Sequence, residues 1–374
     1  MIRILFFIPG LSEGGAEKVL RNLVNNMDQS QFEITVQTIE KCEPEDFLVK
    51  GIRYKAINKC RTKLGRIIFF YCFRLCAELN LAYRLFVKDD YDIEIAYLET
   101  IATKIIAQST NRRAKKVAWV HCDLSKKENM KENVKKIEKQ YEKFDKIVCV
   151  SRDVKRGLAN LLSQKLNALV LPNVIDDEEI DMKSHMPIHY VPKQNTIELV
   201  ALGRLTQQKN FMYLIDTCAK LRDKDCSFHL NILGEGPERD NLERQITALK
   251  LENIVTLQGF VSNPYPWIRQ ADIVVCSSIY EGISTVVQEA LLMHKPIVTT
   301  PCTGMTELLG QSEYGLIVDT GDNGLFNGLY QVINSPILRK KYVEKAKERS
   351  KLLTKKSAVQ ITEEFFIELL QNNL

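Results

Sequence analysis

Nowhere in its 374 residues does the chain run through about 18 apolar residues without interruption, the length a helix needs to cross a bilayer. The nearest approach, Ile67 to Val87, is broken by Arg74, Glu78 and Arg84. No small-residue cleavage pattern follows the short apolar start MIRILFFIPG, which reads as a first core strand instead of a secretory leader. The ten cysteines include no C-x-x-C pair, which argues against zinc and fits small buried thiols in a reducing cytosol. A glycine-rich G-x-G-x-x-G fingerprint is missing, so dinucleotide binding of that kind is not indicated. No aromatic platform accompanies the basic residues, and a net charge of +5 does not call for nucleic acid.

What is present is a soluble globular composition, 45% hydrophobic and 26% charged, in a chain long enough for two ordinary domains. Apolar β-branched runs alternate with helical periodicity. In the first half, Ile2 to Ile8 reads as a strand, Pro9 to Gly15 as a glycine loop, and Ala16 to Met27 as a helix. Strands follow at Ile34 to Ile39, Ile52 to Ala56, Val117 to His121 and Ile147 to Val150. An acidic, proline-punctuated stretch precedes a second βα series that begins at Ile197. The fold class expected is α/β, two Rossmann-like doubly wound domains facing a central cleft. The boundaries expected are 1–175 for the first domain, 176–195 for a linker, 196–354 for the second domain, and 355–374 for a final helix packing back on the first.

The most informative stretch is Ile273 to Thr300, a strand, a loop and a helix. Thr285 with Gln288 fits a capping box, which places free N–H groups beside Gly282 and Glu289 within the first turn. Glu281 and Glu289 then flank a helix N-terminus that suits a diphosphate, or else form part of an ordinary capped helix. Gly203-Arg204 ends one strand, and Lys209 stands just ahead of a helix; two cations there can meet a diphosphate or simply be solvated. Gly234-Glu235-Gly236-Pro237 reads as a glycine turn with proline at the first helical position. Gly259-Phe260-Val261 offers an aromatic to a base, or to the core.

In the first half, His121 closes a short strand, a position that points into the ligand crevice of an α/β sheet, though a lone histidine is often structural. Ser151 after the next strand is read as a helix cap. Asp90-Tyr91-Asp92 spells D-x-D, yet it directly precedes an apolar run, as Asp145 does, and reads as the lead-in to a buried strand. A single helix is expected over Lys63 to Lys88, with Lys63, Arg66, Arg74, Arg84 and Lys88 within about 80° of one another and Ile68, Leu75, Leu79 and Phe86 opposite. Such a helix either packs on its own sheet or lies on an anionic membrane surface, holding a lipid-linked acceptor. The lysine-rich stretch Lys126 to Lys146 adds positive charge to the same half.

In order along the chain, G-G-A-E at Gly14, W-V-H at Trp119, G-R-x-x-x-x-K at Gly203, G-E-G-P at Gly234, G-F-V at Gly259, E-G-x6-E-A at Glu281 and K-P-I-V-T-T at Lys295 resemble the retaining glycosyltransferases of family 4. The spelling E-G-I-S-T is similar to that of bacterial capsule and exopolysaccharide assembly transferases. One departure is Ile283-Ser284-Thr285, where many members carry F-G or F-P.

The resemblance implies the two-domain GT-B architecture, a nucleotide-sugar co-substrate, retention of configuration, and no metal or other cofactor. It implies that Gly14 and Gly15 let the backbone approach donor or acceptor. It further implies that His121 contacts the donor sugar, that Glu289 holds the ribose hydroxyls, and that Glu281 lies near the donor sugar. Arg204, Lys209 and the helix start after Gly282 would then stabilise the departing diphosphate. A same-face mechanism is expected, in which the leaving phosphate helps deprotonate the acceptor. UDP is expected over GDP from the habits of the class, not from these residues. The acceptor expected is a growing, lipid-linked glycan at the inner face of the cell membrane. Two rival functions are a nucleotide-sugar 2-epimerase and a non-catalytic partner subunit that binds a nucleotide sugar or docks on the membrane.

Overall fold

The computed structural model describes residues 1–11, 14–42, 48–58, 60, 62–126, 133–162, 166–192 and 194–371. Ser12 and Glu13 of the glycine loop, and part of the lysine-rich stretch after Lys126, lie outside the described residues. The chain divides into unit 1, Met1–Val174 with Lys356–Leu374, and unit 2, Ile175–Lys355.

Unit 1 is built on seven parallel strands: β1 (Ile2–Ile8), β2 (Phe32–Glu40), β3 (Arg53–Asn58), β4 (Ile93–Ala96), β5 (Lys115–Val120), β6 (Lys146–Cys149) and β7 (Ala168–Val170), in the order β3-β2-β1-β4-β5-β6-β7. Unit 2 has six: β8 (Ile197–Leu202), β9 (Phe228–Leu233), β10 (Val255–Gly259), β11 (Ile273–Cys276), β12 (Ile297–Thr299) and β13 (Leu316–Ile317), in the order β10-β9-β8-β11-β12-β13. Because both faces of a parallel sheet are covered by helices, its central strands read as predominantly apolar runs. Ile4 to Ile8 of β1 and Ile273 to Val275 of β11 are accordingly buried.

In each sheet the winding reverses once, between β1 and β4 (Ile4 opposite Ile93) and between β8 and β11 (Leu199 opposite Ile273). Loops diverge there, so the crevice beyond the strands' C-terminal ends is where such a sheet takes ligands.

The aspartates that lead into strands act as ties between them. The Asp92 carboxylate accepts the Arg3 N–H at 2.8 Å, Asp145 accepts that of Lys116 at 2.7 Å, and Asp272 accepts that of Glu198 at 2.9 Å. Each fixes the start of its strand to a neighbouring one. The D-x-D spelling therefore sits at the end of the sheet away from the crevice.

Two expectations need correction. The stretch 176–195 is not a free linker, because Asp177–Ser184 forms a helix within unit 2. Three of its four acidic residues occupy the first turn, where the dipole favours them, and the Asp176 side chain accepts the Glu179 N–H at 3.0 Å. Lys355 donates to Asp176 and Glu178, and Tyr190 donates to the buried Glu198 at 2.5 Å.

The stretch Lys63 to Lys88 is not one helix either: α1 (Gly15–Asn26) is followed by α2 (Lys63–Glu78) and the short α3 (Ala82–Phe86). Asn80 takes a left-handed φ of 57°, and the Leu81 N–H returns to the Cys76 carbonyl, the closure of a Schellman motif. Tyr83 then anchors α3 by donating to the buried Glu94 carboxylate at 2.6 Å. Arg84 and Lys88 thus leave the stripe formed by Lys63, Arg66 and Arg74.

The last helix, Lys355–Gln371, returns to unit 1, where Phe366 meets Phe6 and Phe32 edge-on, ring centroids 6.1 and 6.4 Å apart. Phe366 is fully buried, so Phe366→Ala should cost about 3–5 kcal/mol through lost transfer energy and a residual cavity. Urea unfolding followed by tryptophan fluorescence checks this.

Candidate functional site

At the switch point of unit 2, the loop after β8 and the loop after β11 are fastened to each other. The Lys209 ammonium donates to Glu281 Oε1 at 2.5 Å, and the Ser278 hydroxyl donates to the same oxygen at 2.6 Å. Gln208 donates to the Tyr280 carbonyl at 2.9 Å, Ile279 N–H to the Gln208 carbonyl at 2.8 Å, and Ser277 to the Lys209 carbonyl at 2.7 Å. Burial alone would lower the Lys209 pKa, but the Glu281 carboxylate outweighs it and holds the ammonium above its usual value. Glu281 Oε2 takes no hydrogen bond among the described residues. The Arg204 guanidinium is exposed and has no partner among them.

Glycine is required here by space. A Cβ on Gly234, whose φ is 147°, would stand 1.9 Å from the Gly203 carbonyl oxygen, and one on Gly203 would meet the Lys209 side chain at 2.9 Å. Gly304, with φ at 82°, lies so close to Gly282 that a Cβ would be 2.6 Å from its carbonyl oxygen. The Gly203 and Gly234 N–H groups are themselves committed, to the Leu233 and Gly259 carbonyls at 3.0 and 2.7 Å, so these glycines serve the close packing of the strand ends.

The helix Thr285–Leu292 starts one residue earlier than expected: Ser284 is its cap, accepting the Val287 N–H at 3.3 Å. Thr285 is already helical, which moves Glu289 from the first turn into the second, where it is buried. Ile283 stands between Gly282 and the cap, its Cα against the Gly304 position. Pro237 is not the first helical residue either, since Arg239–Ala248 begins two residues later. Phe260 is 58% exposed beyond β10 and Val261 half-buried beside it, so the Phe260 ring is not part of the core. Lys295, part of K-P-I-V, is structural, since its ammonium donates to the Arg269 and Ala271 carbonyls at 2.6 and 2.9 Å.

At the switch point of unit 1 lies a cavity of about 1190 Å³, walled by Pro9, Gly10 and Leu11 after β1, by Glu99 to Ile101 after β4, and by α2. Gly14 caps α1 in ordinary extended backbone and Gly15 opens the helix, with the Glu17 carboxylate folded over Gly14. Ser151 does cap its helix, accepting the Val154 N–H at 3.1 Å.

His121 follows β5, yet its ring turns inward against Tyr97 (4.8 Å) and does not line the cavity. Burial lowers its pKa to about 4, so the imidazole is neutral at pH 7, and its buried Nε2 has no partner among the described residues. Glu99 belongs to none of the sequence motifs. Its Oε1 accepts the N–H groups of both His121 and Cys122, fixing the end of β5. The same rule that singles out His121, a polar residue just past a strand's C-terminal end, applies to it.

α2 buries Phe73 and Ala77 but leaves Leu64, Ile67, Ile68, Tyr71, Leu75 and Leu79 exposed. Its apolar stripe therefore faces solvent, beside Lys63, Arg66 and Arg74. Among the described residues no helix is long and apolar enough to cross a membrane.

Two doubly wound parallel units of seven and six strands make this a GT-B architecture. It matches a crystal structure of Anabaena HepE in complex with UDP and glucose (TM-score 0.75, 19% identity, 98% of this chain and 100% of that one). It also matches the sucrose-phosphate synthase of Thermosynechococcus elongatus (TM-score 0.78, 15% identity, 100% of both). Residues 13–179 match the family model described as Glycosyltransferase Family 4, and residues 187–349 that described as Glycosyl transferases group 1. The chain belongs to the GT-B glycosyltransferases of the family 4 type.

The N-acetylgalactosamine-N,N'-diacetylbacillosaminyl-diphospho-undecaprenol 4-alpha-N-acetylgalactosaminyltransferase of Campylobacter jejuni is 36% identical over 188 residues, 50% of each chain. The lipopolysaccharide core biosynthesis glycosyltransferase LpsE of Rhizobium meliloti is 28% identical over 175 residues, 46% of this chain and 47% of that protein. In both, the matched part is about half of the relative's length. The amylovoran biosynthesis glycosyltransferase AmsD of Erwinia amylovora is 25% identical over 356 residues, 94% of this chain and 95% of that protein.

The depressed His121 pKa has a measurable consequence. The unfolded chain binds a proton at His121 near pH 6.5 and the folded one near 4, so stability is full above pH 6.5 and falls as pH drops toward 4, by about 3 kcal/mol. In His121→Gln that part of the slope should be gone, which chemical denaturation at a series of pH values reads directly.

Proposed function

We propose that this protein is a retaining glycosyltransferase of cell-surface polysaccharide assembly, moving a hexose or N-acetylhexosamine from a UDP-sugar to a lipid-linked glycan. The observation that carries the donor side is the corner formed by Lys209, Glu281 and Ser278 at the start of the Ser284-capped helix, with Arg204 uncommitted beside it. Departure of a nucleoside diphosphate leaves about two negative charges on the leaving group. Arg204, Lys209 and the N–H groups of the Thr285–Leu292 helix supply fixed positive potential there, so no divalent metal is needed. Glu289 takes the ribose hydroxyls, Phe260 the base, and Glu281 keeps Lys209 in place beside the sugar. The printed name of the Campylobacter relative, which acts on a diphospho-undecaprenol sugar, supports a lipid-linked acceptor. The complex of HepE with UDP and glucose supports the donor class.

The expected result in EDTA is selective thermal stabilisation by UDP or its sugars, worth about 2.7 kcal/mol at 100 times the dissociation constant, and lost in Glu289→Ala. Stabilisation only with added Mg²⁺ overturns metal independence, and none with UDP, GDP or ADP overturns the donor site.

The exposed stripe of α2, flanked by Lys63, Arg66 and Arg74, is the surface proposed to rest on anionic lipid. Sedimentation with vesicles containing phosphatidylglycerol should fall at least tenfold in Ile68→Glu/Leu75→Glu. Equal sedimentation of variant and parent would remove the membrane from this reading.

A further inference from the structure

Glu99 holds a second open carboxylate oxygen, and its surroundings give that oxygen a use. The residue is 8% exposed, and both of its hydrogen bonds, from the N–H groups of His121 and Cys122, fall on Oε1. Oε2 takes none among the described residues, and the residue lines the unit 1 cavity. Thr100, next in the chain, has φ 73° and ψ −105°, a conformation that a β-branched residue adopts only against strain of about 1–3 kcal/mol. That strained turn carries the chain from Glu99, held to the end of β5, into α4 (Ile101–Ile106).

Across the same cavity wall stands Tyr141, 2% exposed, whose hydroxyl has no hydrogen-bond partner among the described residues. Thr103 lies close by, but its proton goes to the Leu98 carbonyl at 3.2 Å, so it donates nothing to the phenol oxygen. Burial, and next the Glu99 charge, keep the phenol protonated. By contrast Phe70 and Tyr71 of α2, also lining the cavity, are 42% and 76% exposed and form its rim.

The floor thus offers a carboxylate acceptor and a phenol donor under an aromatic rim. A phosphate would be repelled by Glu99, whereas a sugar ring presents hydroxyls that both donate and accept. Of the four cations lining this cavity, Lys104 and Lys136 are gathered by Glu78, at 2.5 and 3.5 Å, and Lys41 and Arg74 are exposed to solvent.

We propose that Glu99 and Tyr141 bind a neutral sugar ring, with Glu99 Oε2 accepting a hydroxyl proton in a hydrogen bond, and that this subsite sets which terminal sugar of the acceptor is extended. The inference rests on the glycosyltransferase reading, but its test does not.

Saturation-transfer NMR and calorimetry of the full chain with the octyl glycosides of glucose, galactose, N-acetylglucosamine and N-acetylgalactosamine should show saturable, sugar-selective binding. Glu99→Gln should weaken it at least tenfold and Tyr141→Phe severalfold, with UDP stabilisation unchanged. Tyr141→Phe removes one atom and keeps the fold testable should Glu99→Gln unfold. Equal affinity in parent and both variants, or no saturable binding to the parent, overturns the proposal. Glycoside binding without any nucleotide binding would leave the subsite standing and bring down the donor reading instead.

Discussion

A lysine ammonium and a glutamate carboxylate 2.5 Å apart hold together the two loops on which the unit 2 site depends. A buried ion pair adds little net stability, because desolvation offsets most of the attraction, but breaking one half of it is costly. Its value lies in what it fixes. Lys209 follows β8 and Glu281 follows β11, the two strands between which the winding reverses, so the pair spans the point where the sheet opens. The glycines work under the same constraint: with Gly203 packed against the Lys209 side chain, Gly234 against the Gly203 carbonyl and Gly304 against the Gly282 carbonyl, the strand ends approach closely.

The two units answer one topological rule with different chemistry. In each, a buried carboxylate lies just past the switch-point strand, Glu99 after β4 and Glu281 after β11, with Oε1 committed and Oε2 open. In unit 2 the committed oxygen holds a cation, which suits an anionic ligand. In unit 1 it holds two backbone N–H groups and no cation, so the free oxygen faces ligands that bring hydroxyl protons. The neutral imidazole of His121 completes that contrast, since burial has removed the only charge it could carry.

Much of this was legible in the sequence because parallel strands announce themselves as β-branched runs and glycines mark their C-terminal ends. Spacing put Gly203, Lys209, Glu281 and Glu289 at strand ends and a helix start, but only the family resemblance gave them a ligand. What spacing could not supply was the choice between adjacent residues of similar propensity. Ser284 and Thr285 both cap helices, and the selection of Ser284 moves Glu289 one residue further from the helix start. The break in Lys63 to Lys88 hung on one asparagine able to adopt a left-handed φ, which a wheel drawn at 100° per residue cannot see. Glu99 and Tyr141 carry no motif; their importance comes from burial and from atoms left unpaired, and those exist only in three dimensions.

The solvent-facing stripe of α2 follows from the same break. A continuous helix of that length would have had to turn one face to the sheet along its whole length, and Ile68, Leu75 and Leu79 are the face that periodicity offers. Once Asn80 ends the helix and Tyr83 secures α3, α2 needs only Phe73 and Ala77 to stay in place, and Phe69 stacks on Phe73 at 5.6 Å to widen that contact. The remaining leucines and isoleucines are released from the core. Exposed apolar side chains in a row along one helix cost solvation wherever they face water, so they gain most where water is excluded. The basic residues Lys63, Arg66 and Arg74 flank that stripe, so apolar and cationic surface lie side by side on one helix. The rim of the sugar-sized cavity, Phe70 and Tyr71, belongs to this same helix.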